Sequence, residues 1–435
     1  MSRKRLSVAA MVLLASFGGA ARAAEALGPQ DVLRSWYKLS LALVRHTPTF
    51  TPPVASRALA YLGVTAFESV ASGPGDLRSL AGQLNELDSL PKRQAGQAYS
   101  EAAVMQAAMA FATRRLFANT GPTGQHAMAA LETKLRADVA RALDPEILAR
   151  SEAYGEALAK HLLAWSQGDN GAVVENMGFA TSYAVSAGAA HWTPTSAIRL
   201  QQFPLLPGWG ANRPFAMPAA ACSLPPPPDY SEDKASEFYK QALEVYQTRQ
   251  NLTAEQSAVA RFWSDDAMLS VTPPGHWIDI AWQIFDRDQV ALPKAVDVLA
   301  RLGIAEADAF IGCWRVKYQY DLLRPLTYIH RVVDPKWEPL LNTPPFPEYP
   351  SGHSTQSAAA AAVLTSLFGE NFAFRDETGK ADGLAPRSFA SFAEAANEAG
   401  LSRLYGGIHF RAGIERGMAQ GQCIAAFAIA LRTLR

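Results

Sequence analysis

The chain has 435 residues and a mass of 46.9 kDa, and 49% of it is hydrophobic, enough for a large buried core and for more than one domain. Forty Lys and Arg balance forty Asp and Glu, so the formal charge is zero. No global field is available to recruit nucleic acid or an anionic membrane surface, and any anion binding must be local.

The first residues read as an export signal: Arg3-Lys4-Arg5, the apolar stretch from Leu6 to Ala20, and Ala21-Arg22-Ala23 as a small-x-small cleavage site. The expected mature chain begins near Ala24 and is secreted or periplasmic. No later run reaches the roughly 18 unbroken apolar residues of a membrane span. Three cysteines remain, Cys222, Cys313 and Cys423, without a C-x-x-C spacing, and buried free thiols are the expectation for all three.

Helical periodicity dominates and strand signals are almost absent. Residues 31–45 place Leu33, Trp36, Leu41 and Val44 on one side at helical spacing, and residues 55–72, 96–117, 125–143 and 146–166 repeat that character. From 168 to 230 the texture turns to Gly, Pro, Ser and Asn and ends in Pro225-Pro226-Pro227-Pro228, which cannot continue a helix. This stretch is read as a connection that covers a surface or faces a second copy. Helices are expected again over 231–248, 253–264, 277–288, 291–302, 305–322, 353–368, 387–403 and 413–433. The predicted architecture is all-α: an N-terminal helical bundle over 24–167, packed on a C-terminal one over 231–435.

Three segments of the second half carry charge and imidazole together. Lys317 and Arg324 are seven residues apart, read as two turns of one helix that Pro325 ends, so both cations project from one face. Pro350-Ser351-Gly352-His353 runs straight into a helical stretch. At a helix start the first backbone N–H groups lack partners, Gly352 admits close approach of an anion, and Ser351 adds a hydroxyl. His353 on the first turn is the candidate acid or base. Arg403 closes another helix, and His409 follows six residues on, after the Gly406-Gly407 break. An Arg fork binds two oxygens while a neutral imidazole nitrogen addresses the central atom. Taken singly, each of these residues fits a surface charge, a cap or a core histidine equally well. Their occurrence together points to a tetrahedral oxyanion.

These segments, KYQYDLLRP (317–325), PSGH (350–353) and SRLYGGIH (402–409), resemble the shared signature of the vanadium-dependent haloperoxidases and the type 2 phosphatidic acid phosphatases. PPVASRALAYLGVTAFES (52–69), FWSDD (262–266) and TPPGHW (272–277) extend the resemblance to the bacterial haloperoxidase branch. The resemblance implies two packed helical bundles with vanadate as cofactor. It makes His409 the vanadium ligand, Lys317, Arg324, Ser351, Gly352 and Arg403 the holders of the equatorial oxygens, and His353 the acid–base group. Hydrogen peroxide, a halide and an organic acceptor are the implied partners, with Lys317 polarising the peroxide and a halogenated product or hypohalous acid as the outcome.

Vanadate and phosphate share charge and shape, so the cradle alone leaves two further readings: an acid-phosphatase-like hydrolase with phosphorylated His409, and a non-catalytic anion-binding protein. Trp314 and Phe346, matching aromatics on the halide side of the family's pocket, favour the peroxidase, as does the export signal. Asp266 is the implied brace for Arg403. Many members of the family place an Asp four residues after the ligand histidine, where this chain has Gly413, so weaker vanadate binding or weaker nucleophilicity toward phosphate is expected unless Glu415 or a backbone carbonyl takes the place of that Asp. Bacterial relatives imply a homodimer. His46, His126, His161, His191, His276 and His330 show no metal-ligand spacing and are read as structural.

Overall fold

The computed structural model describes residues 27–141, 143–175, 182–196 and 202–435. The segment read as an export signal lies outside these. The helices are α1 (Pro29–His46), α2 (Pro52–Ala71), α3 (Glu101–Leu116), α4 (Pro122–Ala140), α5 (Pro145–Gln167), α6 (Gly171–Val174), α7 (Glu237–Gln250), α8 (Ala254–Phe262), α9 (Thr272–Asp288), α10 (Leu292–Tyr320), α11 (Pro325–Val332), α12 (Gly352–Phe368), α13 (Phe392–Tyr405) and α14 (Arg411–Ile429). Between α12 and α13 a short antiparallel hairpin pairs β1 (Phe374–Asp376) with β2 (Arg387–Phe389).

Local chemistry sets many of these boundaries. Proline opens α1, α2, α4, α5, α9, α10 and α11, where its missing N–H costs nothing. Ser100, Asp144, Ser236, Ser351 and Ser391 cap α3, α5, α7, α12 and α13, and Thr253 with Gln256 forms a capping box on α8.

The 29-residue α10 is buried on nearly all sides, as an apolar helix in the centre of a large protein must be. It packs on α2 to one side and on α12 and α14 to the other. The α2 crossing is close because both helices meet at glycine: a Cβ on Gly63 would lie 2.7 Å from the Leu299 carbonyl, and one on Gly303 2.9 Å from the Ala60 Cα. One continuous apolar core runs from α1 through α10 to α14, so the two groups of helices share an interior.

The long connection wraps this interior. Buried Asp308 on α10 accepts the backbone N–H groups of Phe215, Ala216 and Met217 at 2.6, 2.9 and 2.8 Å, pinning the connection across the bundle. A disulfide joins Cys222 in the connection to Cys423 on α14, and Cys313 alone is a free buried thiol. The expectation of three free thiols is therefore corrected: residues 201 apart in sequence meet only through the tertiary fold, and no local spacing signals it.

Three expectations about elements change as well. The stretches 291–302 and 305–322 form one helix. Residues 387–389 are a strand rather than the start of α13. Lys317 and Arg324 do not share a helix, because α10 ends at Tyr320, Asp321 turns left-handed at φ 49°, and Arg324 is the extended residue before Pro325, which begins α11. The clash that pushes a pre-proline residue out of the helical region breaks the chain before Arg324 rather than after it.

Candidate active site: a buried cradle for an oxyanion

The three charged segments converge despite the break between Lys317 and Arg324. Lys317, Arg324, Ser351, Arg403 and His409 are all buried. The His409 imidazole lies within electrostatic reach of Arg324, Lys317, Arg403 and His353, so the three segments meet around it. Gly352, His353, Arg403 and His409 line a cavity of about 350 Å³ whose other wall is apolar, built from Leu205, Pro273, Phe310, Trp314 and Phe346.

Each donor is held by backbone. Arg324 donates from Nε to the Phe346 carbonyl (2.8 Å) and from Nη1 to the Ile408 carbonyl (2.9 Å), and the same Nη1 is 3.2 Å from His409 Nε2. Arg403 donates from Nη1 to the Trp263 carbonyl. Lys317 Nζ donates to the carbonyls of Pro347 and Glu348 at 2.9 Å each and to that of Pro350, so it clamps the turn that opens α12. Its ammonium also lies 5.1 Å from the Phe346 ring centroid, and Arg324 lies 4.8 Å from the same ring.

Burial disfavours the charged form of each of these cations. Burial pulls Lys317 down to about 7, with Arg324 adding to the effect. Burial takes Arg324 and Arg403 each down to about 10, the two Arg repelling at Arg324. His353 and His409 are held well below their ordinary value, first by burial and then by the neighbouring guanidinium groups. Burial and the guanidinium groups thus favour the neutral form of both imidazoles.

Within the cradle, three buried nitrogens have no partner among the described residues: Arg324 Nη2, Arg403 Nε and His353 Nε2. Buried polar atoms in a folded protein are rarely left so, and here they share one focus. The N–H groups of Gly352 and His353 in the first turn of α12 have no intrahelical acceptor either. The Ser351 N–H is not among them, because it donates to the Gly413 carbonyl at 2.9 Å. Ser351 Oγ caps the helix by accepting from Ser354 N (3.3 Å), and its own hydrogen stays free for a ligand. This donor set fits a small tetrahedral oxyanion. Among the described residues no group of three or more His, Cys, Asp or Glu side chains is arranged to hold a metal cation.

Trp314 and Phe346 face each other with ring centroids 5.0 Å apart, and Phe310 extends the wall at 5.4 Å from Trp314. The Leu205 carbonyl fixes this wall by accepting from Trp314 Nε1 (3.2 Å) and the Tyr318 hydroxyl (2.6 Å). The connection is thus part of the cavity. Asp266 is exposed on the cavity rim and forms no ion pair with Arg403, although the guanidinium field reaches it.

Two groups of residues escaped the sequence reading. Buried Glu348 accepts from His409 Nδ1 at 2.7 Å, and it sits two residues before Pro350 in a segment read only for its turn. Neither Glu415 nor a backbone carbonyl serves this nitrogen. Behind the Arg403 side of the cavity, His276 lies between Asp265 (3.0 Å to each oxygen) and Asp376 (2.7 Å) and stacks on Trp263. His276 was expected to be structural and has such a role, but nothing in its spacing announces carboxylates 11 and 100 residues away.

An all-α protein with a histidine-backed oxyanion cradle between helical groups is a narrow class. The VCPO second helical-bundle domain matches residues 297–433. The crystal structure of a bacterial vanadium-dependent iodoperoxidase is similar at 36% identity and a TM-score of 0.84, over 93% of this chain and 97% of that one. Holo-type and apo-type structures of a bacterial vanadium-dependent chloroperoxidase are each 16% identical, with TM-scores of 0.67 and 0.66 over 93% of this chain and 92% and 94% of theirs, and these show likeness of fold. Comparison with curated proteins gives no match. The chain belongs to the vanadium-dependent haloperoxidase family.

Proposed function

We propose that the protein is an exported vanadate-dependent haloperoxidase that uses hydrogen peroxide to oxidise halide, iodide among them, to hypohalous acid or a halogenated product. The observation that carries this reading is the unpartnered donor set of Arg324, Arg403 and His353 beside an apolar, aromatic wall. Bound vanadate supplies a Lewis-acidic centre that activates peroxide without changing its own oxidation state. Arg324, Arg403, Ser351 and the first amides of α12 hold its oxygens, and Lys317 supports them by clamping the turn and adding positive charge. His409 would be its ligand, through Nε2. His353, neutral and with Nε2 free, takes the proton of arriving peroxide and returns it to the departing product. The wall of Phe310, Trp314 and Phe346 excludes water from the halide side, which suits a weakly hydrated anion more than a phosphate ester.

The similarity to an iodoperoxidase supports iodide as one halide. The Cys222–Cys423 disulfide supports export, since such bonds persist in oxidising compartments. Among the described residues no helix is long and apolar enough to cross a membrane.

Purified protein, with and without added orthovanadate, tests the reading with peroxide, a phenol reporter and iodide, bromide or chloride in separate reactions. Halogenation that requires both vanadate and peroxide is expected. Hydrolysis of a phosphate ester inhibited by vanadate would move the function to the phosphatases, and neither activity would leave an anion-binding protein.

A further inference from the structure

An acid 61 residues away in the chain meets Nδ1 of His409. Glu348 is fully buried, and its Oε1 accepts from His409 Nδ1 at 2.7 Å and from the Phe410 N–H at 3.0 Å. The two contacts bind the carboxylate to consecutive residues and fix the imidazole plane. Its backbone is equally fixed: Glu348 N donates to the Leu322 carbonyl (2.9 Å), and Glu348 O accepts from Lys317. The carboxylate therefore belongs to the turn before α12 and reaches across to the start of α14.

The position it reaches is Gly413. A Cβ there would lie 2.3 Å from Glu348 Oε1 and 3.0 Å from both Cδ and Oε2. Gly413 is helical and has no positive φ, so its backbone would accept any residue. Space alone requires glycine. Every larger residue at 413 expels the carboxylate, and removal of the carboxylate leaves a void next to 413 with His409 Nδ1 unpartnered.

We propose that Glu348 and Gly413 form an exchanged pair, in which Glu348 is the positioning residue for His409 and Gly413 is glycine because the Glu348 carboxylate occupies its side-chain space. Arg324 can only donate, so its Nη1 contact makes His409 Nε2 the acceptor and Nδ1 the protonated nitrogen. Glu348, accepting from Nδ1, reinforces that tautomer and fixes the ring from the side opposite Nε2. The inference rests on the reading of His409 as the vanadate ligand, but the pairing itself is a property of the protein without vanadate.

The test uses the full mature chain with ¹⁵N-labelled histidine, His409 being assigned by the signal lost in His409→Asn. In vanadate-free wild type the expected pattern is protonated Nδ1 and unprotonated Nε2. Glu348→Ala, which removes the Nδ1 acceptor, is expected to shift the balance measurably toward protonated Nε2. It is also expected to weaken vanadate binding, measured by equilibrium dialysis, by about 10–100-fold, the usual effect of removing a hydrogen-bond partner of a ligand. Gly413→Ala should do the same with Glu348 intact. The double variant Glu348→Ala/Gly413→Asp, which supplies an acid from α14 into the vacated space, should restore both the tautomer and affinity to within a few-fold of wild type. The proposal is overturned if Glu348→Ala keeps the tautomer and affinity, or if the double variant melts cooperatively yet behaves no better than Glu348→Ala. Should wild type bind no vanadate, the functional reading fails, while the tautomer in the single and double variants still decides the pairing.

Discussion

Arg324 Nη1 lies 3.2 Å from His409 Nε2, a contact in which the guanidinium can only donate, so Nε2 is the unprotonated, accepting nitrogen of the histidine. Arg324 also grips the Phe346 and Ile408 carbonyls, which gives one planar group three backbone or imidazole partners at fixed angles. A lysine ammonium at the end of a flexible stem cannot reproduce that fork. Arg324→Lys is expected to weaken orthovanadate binding at least tenfold, or about 1.4 kcal/mol, in line with loss of a charged hydrogen bond. Isothermal titration of the purified variant measures it, and an unchanged affinity would mean that Arg324 is a scaffold for the two carbonyls and nothing more.

Lys317 gives the site a dependence on pH. Burial holds its ammonium at about 7, so in the anion-free protein the charge is lost as pH rises through that value. A bound anion favours the charged form, so binding is linked to uptake of a proton above pH 7 and affinity falls there by up to about tenfold per pH unit. Tungstate, whose own charge is constant across this range, is the suitable probe. Between pH 6 and 9 its dissociation constant should rise in wild type. Lys317→Met should bind more weakly at pH 6 and show a flatter profile. A wild-type profile as flat as that of the variant would contradict the assignment.

The parts of this site differ in how far sequence reveals them. Helices with strong caps and periodic apolar faces were legible, because Ser351 before Ser354 and proline at a first turn act through neighbours in the chain. The cradle was legible as a set, since Lys317, Arg324, Ser351, Gly352, Arg403 and His409 stand in three short segments whose spacing matches a known family. The helix break between Lys317 and Arg324 was misread: seven residues fit two helical turns, and only the preference of a pre-proline residue for extended backbone argued otherwise. Glu348, the Asp265–His276–Asp376 cluster and the Cys222–Cys423 bond were illegible for one shared reason. Each joins residues separated by 11 to 201 positions, and no local pattern encodes a contact that packing of distant helices creates.

His276 supports the cavity from behind, and its stability contribution has a definite sign. Burial alone would lower the imidazole, but Asp265 and Asp376 outweigh it and hold His276 well above its ordinary 6.5. The charged form is thus favoured in the folded state, so its stabilisation is complete below pH 6.5 and is lost as pH rises through the folded value. His276→Leu strands two buried carboxylates and is expected to cost about 3–5 kcal/mol at pH 6. Urea unfolding at pH 6 and pH 9 checks both statements. The gap between wild type and variant should narrow at the higher pH, and a constant gap would mean that packing on Trp263 rather than charge is what His276 supplies.

The disulfide ties the connection to α14 at Cys423, 14 residues beyond His409. Gln420, one turn before Cys423, donates to the Cys222 carbonyl at 3.1 Å and accepts from Thr355 on α12 at 3.3 Å, so connection, α14 and α12 are linked at one level. Closing residues 201 apart restricts the unfolded chain strongly, and loss of such a bond typically costs about 2–4 kcal/mol. Cys222→Ser/Cys423→Ser is therefore expected to lower unfolding free energy by that amount. The hydrogen bonds of Gln420 keep the connection in place, so vanadate affinity well below the melting temperature should change by less than a few-fold. Denaturant titration with and without a reductant measures the first, and dialysis the second. Equal stability of wild type in both conditions would show that the bond is absent from the protein in solution, and with it would go the support it lends to an oxidising compartment.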